Sequence, residues 1–268
     1  MKWEGKSCVW ALGSTKMRNP RVRSTALYQY DIDWLQRAVS IRLNRHCLET
    51  VDTVMIRIKR FGTGELIMNI EADSLVGFDF NNMDLAGADF TKCDLTGAVF
   101  RNLRLNRTVF KDAVMAKVRF QNVTAPAANF DGSDLTGAEL ADTLLEGSSF
   151  ESCVAIGANF RHAKCKGVNF KKANLQSCDF SFADLAADFF KADLTNTTMV
   201  SAELSNASFA YADLKRADMS SATIVGTNFQ HANMEGSTTS SGRIWGKPEV
   251  SSRKIKKPWW QIWGKQVT

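Results

Sequence analysis

"DLAGADFTKCDLTGAVF", residues 84–100, returns an apolar residue at every fifth position: Leu85, Phe90, Leu95 and Phe100. A helix repeats every 3.6 residues and a strand every two, so neither accounts for the spacing. On a helix, a period of five would sweep the apolar residues around every face and leave no stripe to bury. Extended outward, the pattern starts at Leu75 and runs in steps of five to Leu185. All 23 of those positions are Leu, Phe or Met except Ala125, Ala155 and Cys165. One step of four follows, from Leu185 to Phe189, and the period then resumes through Leu194 and Met199 to Met234, giving 33 centres in all. Two residues before the centre stands Ala, Ser, Thr, Cys or Val in 29 of the 33 units, the exceptions being Asp73, Phe78, Met83 and Leu103. Side chains two apart on an extended segment face the same way. The centre and the small residue therefore point inward, the intervening residue, often Asp or Asn, points outward, and the other two turn the chain.

The size of the coil follows from which multiple of five stacks like on like. At four units, Phe90, Phe110, Phe130, Phe150, Phe170, Phe189, Phe209 and Phe229 form an unbroken column, and the four-residue step is required to keep it aligned. A second column, Phe80, Phe100, Phe120, Leu140, Phe160, Phe180, Met199 and Met219, is mostly aromatic. Four sides and about 20 residues per coil are the consistent reading. At this point the units ADFTK, CDLTG, ANFRH, ANLQS, CDFSF, ADLKR and ADMSS resemble the pentapeptide-repeat family, whose motif is A(D/N)LXX. That resemblance implies an all-β solenoid, a right-handed quadrilateral parallel β-helix. About eight coils at the strand spacing of roughly 4.8 Å give a rod near 40 Å long. Each buried centre contributes roughly 1.5–3 kcal/mol.

Four segments are expected: a basic arm over 1–24, a cap over 25–72, the repeat rod over 73–236, and a linker and tail over 237–268. In the cap, Ile32, Leu35, Val39 and Leu43 lie near one helical face within residues 31–44. Alternating Met55, Ile56, Ile58 and Leu66, Met68, Ile70 around Gly62 and Gly64 predict a β-hairpin. The charge is divided in the same way. Lys and Arg exceed Asp and Glu by 12 to 7 in residues 1–72, trail by 15 to 20 in 73–236, and exceed by 7 to 1 in 237–268. The N-terminus has no apolar run of a secretory signal's length, and no run approaches 18 apolar residues. The six cysteines show neither CxxC pairs nor zinc spacing, which makes a reducing, cytoplasmic setting the default expectation. Cys93, Cys153, Cys165 and Cys178 read as small core fillers.

No catalytic, metal or cofactor site is expected. His162 and His231 fall on different sides of the rod, and paired-carboxylate chemistry needs a cleft that a filled rod lacks. Function is therefore sought in the surface. Arg101, Arg104, Arg107, Lys111, Lys117 and Arg119 fall within two coils, and Arg161, Lys164, Lys166, Lys171 and Lys172 within another stretch. Such runs are commonly solvated surface, and they also suit docking of an acidic protein. In the tail, Lys256 and Lys257 precede Trp259, Trp260 and Trp263. Trp beside Lys suits a membrane interface and equally nucleic acid, and the third reading is a lid over the last coil or a joint between two rods, a homodimer through the rod end. The leading expectation is a non-catalytic interaction scaffold with a protein partner. The resemblance adds a gyrase-binding DNA mimic as an alternative. Five net negative charges over the rod are far below DNA's density of one per roughly 1.7 Å, and nucleic acid itself is not expected on the rod. A membrane-associated or host-directed effector anchored by the tail, in the cytoplasm or secreted, is the other alternative.

Overall fold

The structure, a computed structural model, describes residues 55–245. It opens with an antiparallel hairpin of β1 (Met55–Lys59) and β2 (Leu66–Glu71), with Met55 opposite Glu71 and Ile58 opposite Met68. Beyond it the chain forms a four-sided β-solenoid. Most rungs are single bridging residues, and the longest are the stacked parallel strands β3 (Asp79–Asn81), β4 (Val99–Arg101) and β5 (Arg119–Gln121).

Four parallel ladders define the sides. Side one carries Asp79, Val99, Arg119, Glu139, Asn159, Asp179, Thr198, Asp218 and Thr238. Side two carries Arg104, Thr124, Leu144, Lys164, Asp184, Glu203 and Thr223, side three runs from Asp89 to Asn228, and side four from Asp94 to Asn233. Each rung residue stands one before a centre, and each bridge spans 20 residues, or 19 across the four-residue step. Backbone bonds join successive coils: Phe90 N–H donates to the Val109 carbonyl at 2.7 Å and Val109 N–H to the Ala88 carbonyl at 2.8 Å. These bonds satisfy backbone groups that would otherwise face the dry interior.

The core is the set of inward residues expected from the period. The centres from Phe80 to Leu214 lie at or near zero exposure, Ala125, Ala155 and Cys165 included. In the side-three column the phenylalanine rings stack face to face, at 4.4 Å between Phe130 and Phe150 and 5.1 Å between Phe150 and Phe170. The side-one rings meet that column edge-on, as Phe160 does Phe150 at 6.0 Å. Both arrangements are favoured by the ring quadrupole. Hydroxyls at the small inward position bond to carbonyls, Thr108 to Leu85 and Ser148 to Ala125 for example.

The corners explain the outward Asp and Asn. At a typical corner, Cys93 N–H donates to the Phe90 carbonyl at 3.0 Å and Lys92 takes φ of 59°. A single positive φ at the third residue marks a type II turn. The residue before the centre caps it: the Asp89 carboxylate accepts from Thr91 N–H at 2.9 Å, and the same bond recurs at Asp134, Asn159, Asn169, Asp188 and Asp213 among others. Asp and Asn are the residues whose short side chains make this bond.

The step of four has a local cause. Residues 184–189, DLAADF, are residues 84–90, DLAGADF, without the glycine. Gly87 supplies φ of 70° at its corner. At the shortened corner no residue from 185 to 188 has positive φ, and Ala187 N–H instead reaches back two residues to the Leu185 carbonyl at 2.6 Å. Phe170 and Phe189 remain stacked, at 5.0 Å and 7°.

The two ends differ. At the N-terminal end the hairpin is tied to the first coil: Arg60 bridges Ala88 antiparallel, and Asp89 N–H donates to the Lys59 carbonyl at 2.9 Å. Ile58 and Ile70 are buried in the core and cover the coil end. Met55, expected with the apolar set, is 41% exposed because it alternates with the inward Ile56 and Ile58. At the other end the rod continues past the expected boundary at 236, with Thr238 as its last rung. Phe229, expected fully inside, and Met234 are only partly buried, and Ile224 is 40% exposed, because no further coil covers them among the described residues. The helical pattern at 31–44, the arm and residues 246–268 lie outside the described residues.

Candidate interaction surface

Among the described residues the inward positions of the rod are packed, and many of the outward carboxylates cap turns. Among the described residues no three His, Cys, Asp or Glu side chains are grouped to hold a metal ion. His162 stacks on Phe182 at 5.0 Å at the corner after side one, and His231 on Tyr211 at 4.7 Å at the corner after side three. Burial pushes the thiols of Cys153 and Cys165 far above the ordinary range and that of Cys178 up to about 12, which suits fillers and not nucleophiles.

The basic residues form a different feature from the patch that linear proximity suggests. Residues 101–119 make one coil, so their cations are carried around the rod: Arg119 on side one and Arg101 at its corner, Arg104 on side two and Arg107 at its corner, Lys111 at the third corner and Lys117 at the fourth. The result is a girdle. All but Arg101 are exposed, and Arg101 lies 3.5 Å from Asp79. Among the described residues, Arg104, Arg107, Lys111, Lys117 and Arg119 have no acidic partner within 4 Å.

Three of the five cations of the second basic stretch are paired within the rod. Arg161 pairs with Asp179 at 3.1 Å, Lys171 with Asp188 at 3.2 Å and Lys172 with Glu151 at 3.0 Å, each across one coil. Hydrogen bonds from Lys172 and Asn169 hold the Glu151 carboxyl below its usual range. Burial pushes Asp179 up, but the bonds from Ser181 and Arg161 outweigh it and hold the group low. Along the axis the charge alternates in bands. Residues 120–151 carry six acidic and no basic residues, 152–172 five basic and no acidic, and 173–236 eight acidic and three basic.

Beside the girdle lies a shallow open groove of ≈ 490 Å³, where the hairpin meets the corner after side two. Arg60 and Arg107 flank it, and Ala86, Pro126 and Ala127 supply apolar lining. Arg60 is held there by the Ala86 carbonyl at 3.0 Å and by Glu65 at 3.3 Å. The groove joins residues far apart in sequence, and only the hairpin's attachment to side three brings Arg60 to it. No sequence period signals that attachment. The tail residues Lys256, Lys257, Trp259, Trp260 and Trp263 lie outside the described residues.

Comparison with known proteins matches the chain to a family model described as a pentapeptide repeat region over residues 75–150, and to one described as pentapeptide repeats (8 copies) over 156–186, 187–224 and 202–238. No curated protein matches. Among solved structures, a pentapeptide repeat protein from the Arabidopsis thaliana thylakoid lumen is 25% identical over 32% of this chain and 61% of its own, with a TM-score of 0.32. The chain thus spans about three fifths of that protein. HetL, a protein involved in heterocyst differentiation regulation in Nostoc sp. strain PCC 7120, is 22% identical over 63% of this chain and 92% of its own, with a TM-score of 0.21. QnrB1, a plasmid-mediated fluoroquinolone resistance protein, is 17% identical over 63% and 84%, with a TM-score of 0.28.

Proposed function

The chain belongs to the pentapeptide-repeat family, and from that premise we propose that it is a non-catalytic scaffold: a right-handed rod of about eight coils that binds an acidic protein partner through its side. The observation that carries this reading is the girdle. Five exposed cations with no ion-pair partner among the described residues circle one coil, whereas the second basic stretch spends three of its five on the rod's own carboxylates. Unpaired surface cations are free to meet an acidic surface, where they raise the rate of encounter and select the partner. The groove beside Arg107 supplies the concave, partly apolar contact that gives such an encounter a fixed register. A DNA-mimic reading needs a continuous negative face, and the basic band of residues 152–172 interrupts sides one, two and three.

The test is affinity capture from an extract of the source cells with the full chain and with an Arg104→Glu/Arg107→Glu/Lys111→Glu variant. The reading predicts a protein retained by the first and lost from the second, with retention falling as salt is raised. Identical retention by both would remove the girdle from the account.

A further inference from the structure

We propose that the open C-terminal end of the rod is a docking surface for the chain's own residues 246–268, which seat their tryptophans on the uncovered coil and their cations on the acidic band behind it. This surface is separate from the girdle, and the two readings stand or fall independently.

The end is apolar. Ile224 is 40% exposed, Val225 71% and Trp245 55%, and Phe229 and Met234 are only partly covered, while the corresponding centres one coil earlier, Leu204, Phe209 and Leu214, are fully buried. The N-terminal end shows how this rod treats such a face, since Ile58 and Ile70 of the hairpin seal it. An unsealed solenoid end exposes strand edges and core together.

The backbone already turns toward this end. Thr238 pairs with Asp218 on its inner edge, and the chain then reverses around Gly242, where Thr239 N–H donates to the Arg243 carbonyl at 2.7 Å. It returns antiparallel on the rung's outer edge, with Ile244 bridging Thr238 and Trp245 N–H donating to the Ser237 carbonyl at 2.7 Å. The last described residue, Trp245, thus lies at the open end.

Length and charge match as well. Trp259 lies fourteen positions beyond Trp245, a span of about 21 Å even as a helix, while the last three coils are only about 10 Å deep at strand spacing. Residues 246–268 carry six basic residues and one acidic, and 173–236 carry eight acidic and three basic.

The experiment is zero-length carbodiimide cross-linking of the full chain, mixed one to one as light and ¹⁵N-labelled copies and read by mass spectrometry at about physiological salt. The proposal predicts links within one copy from Lys254, Lys256 or Lys257 to Asp213, Asp218 or Glu235. It also predicts at least a fivefold loss of those links in a Trp259→Ala/Trp260→Ala/Trp263→Ala variant, the effect of removing about 1 kcal/mol of docking. These substitutions lie beyond the rod and leave its core intact. Links mainly between light and heavy copies would assign the end to a second chain. Undiminished links in the Trp variant, or absent links with co-sedimentation on phosphatidylserine vesicles, would equally overturn the proposal.

Discussion

Replacing Phe150 with Ala tests the filled interior. Phe150 is fully buried, stacked at 4.4 Å on Phe130 and 5.1 Å on Phe170, with Phe160 edge-on at 6.0 Å. Burying the ring is worth roughly 1.5–3 kcal/mol, and each aromatic pair adds about 0.5–1.5 kcal/mol. The neighbouring coils are clamped by backbone ladders above and below, so the void cannot collapse. A loss of about 3–5 kcal/mol follows, the range seen for large-to-small changes in rigid cores. For a rod of this size, each 1 kcal/mol lowers Tm by roughly 2–4 °C, so Tm should fall by 6 °C or more. The control is Lys172→Ala. Lys172 is 58% exposed and pairs only with Glu151, and such surface pairs are worth about 0–1 kcal/mol. Urea unfolding followed by far-UV circular dichroism compares the two. Equal and mild effects would refute the inward assignment of the centres, and with it the filled rod.

Inserting Gly between Ala186 and Ala187 should be tolerated, with Tm unchanged or raised, because it rebuilds the DLAGADF corner; a Gly inserted between Ala158 and Asn159 should unfold the neighbouring coils, and a mild outcome there would show that the period does not set the register. Cys153, Cys165 and Cys178 should resist iodoacetamide in the folded chain and react once it is unfolded in urea; peptide mapping that finds them alkylated within minutes under native conditions would contradict their burial. The carboxyls of Glu151, Asp179, Asp193 and Glu203 are all held below their usual range. Their contribution is therefore present above the unfolded values of about 4 and is lost as pH falls through the folded ones. The urea midpoint should hold between pH 7 and 5 and drop by pH 3, and a rise on acidification would reverse the sign.

The rod was legible because its cause is periodic: centres, small residues and the single slip at Leu185 are all visible along one line of sequence. Other features are not periodic. Met55 and Ile58 are both apolar, and only the strand register with the rod decides which one faces in. The basic residues of 101–119 look like a cluster on paper, and a coil of 20 residues turns them into a ring. Arg60 shares a groove with Arg107 only through the hairpin's antiparallel attachment. The outward Asp residues resemble free charge in sequence, and the turn geometry shows many of them accepting from backbone N–H groups.

The central claim, that the rod's side is the working surface, is tested most directly by lysine footprinting of the chain with its captured partner. Acylation rates of Lys111 and Lys117 should fall on binding while those of Lys171 and Lys172, already paired with Asp188 and Glu151, stay the same. Protection confined to Lys254, Lys256 and Lys257, with the girdle lysines unchanged, would contradict it.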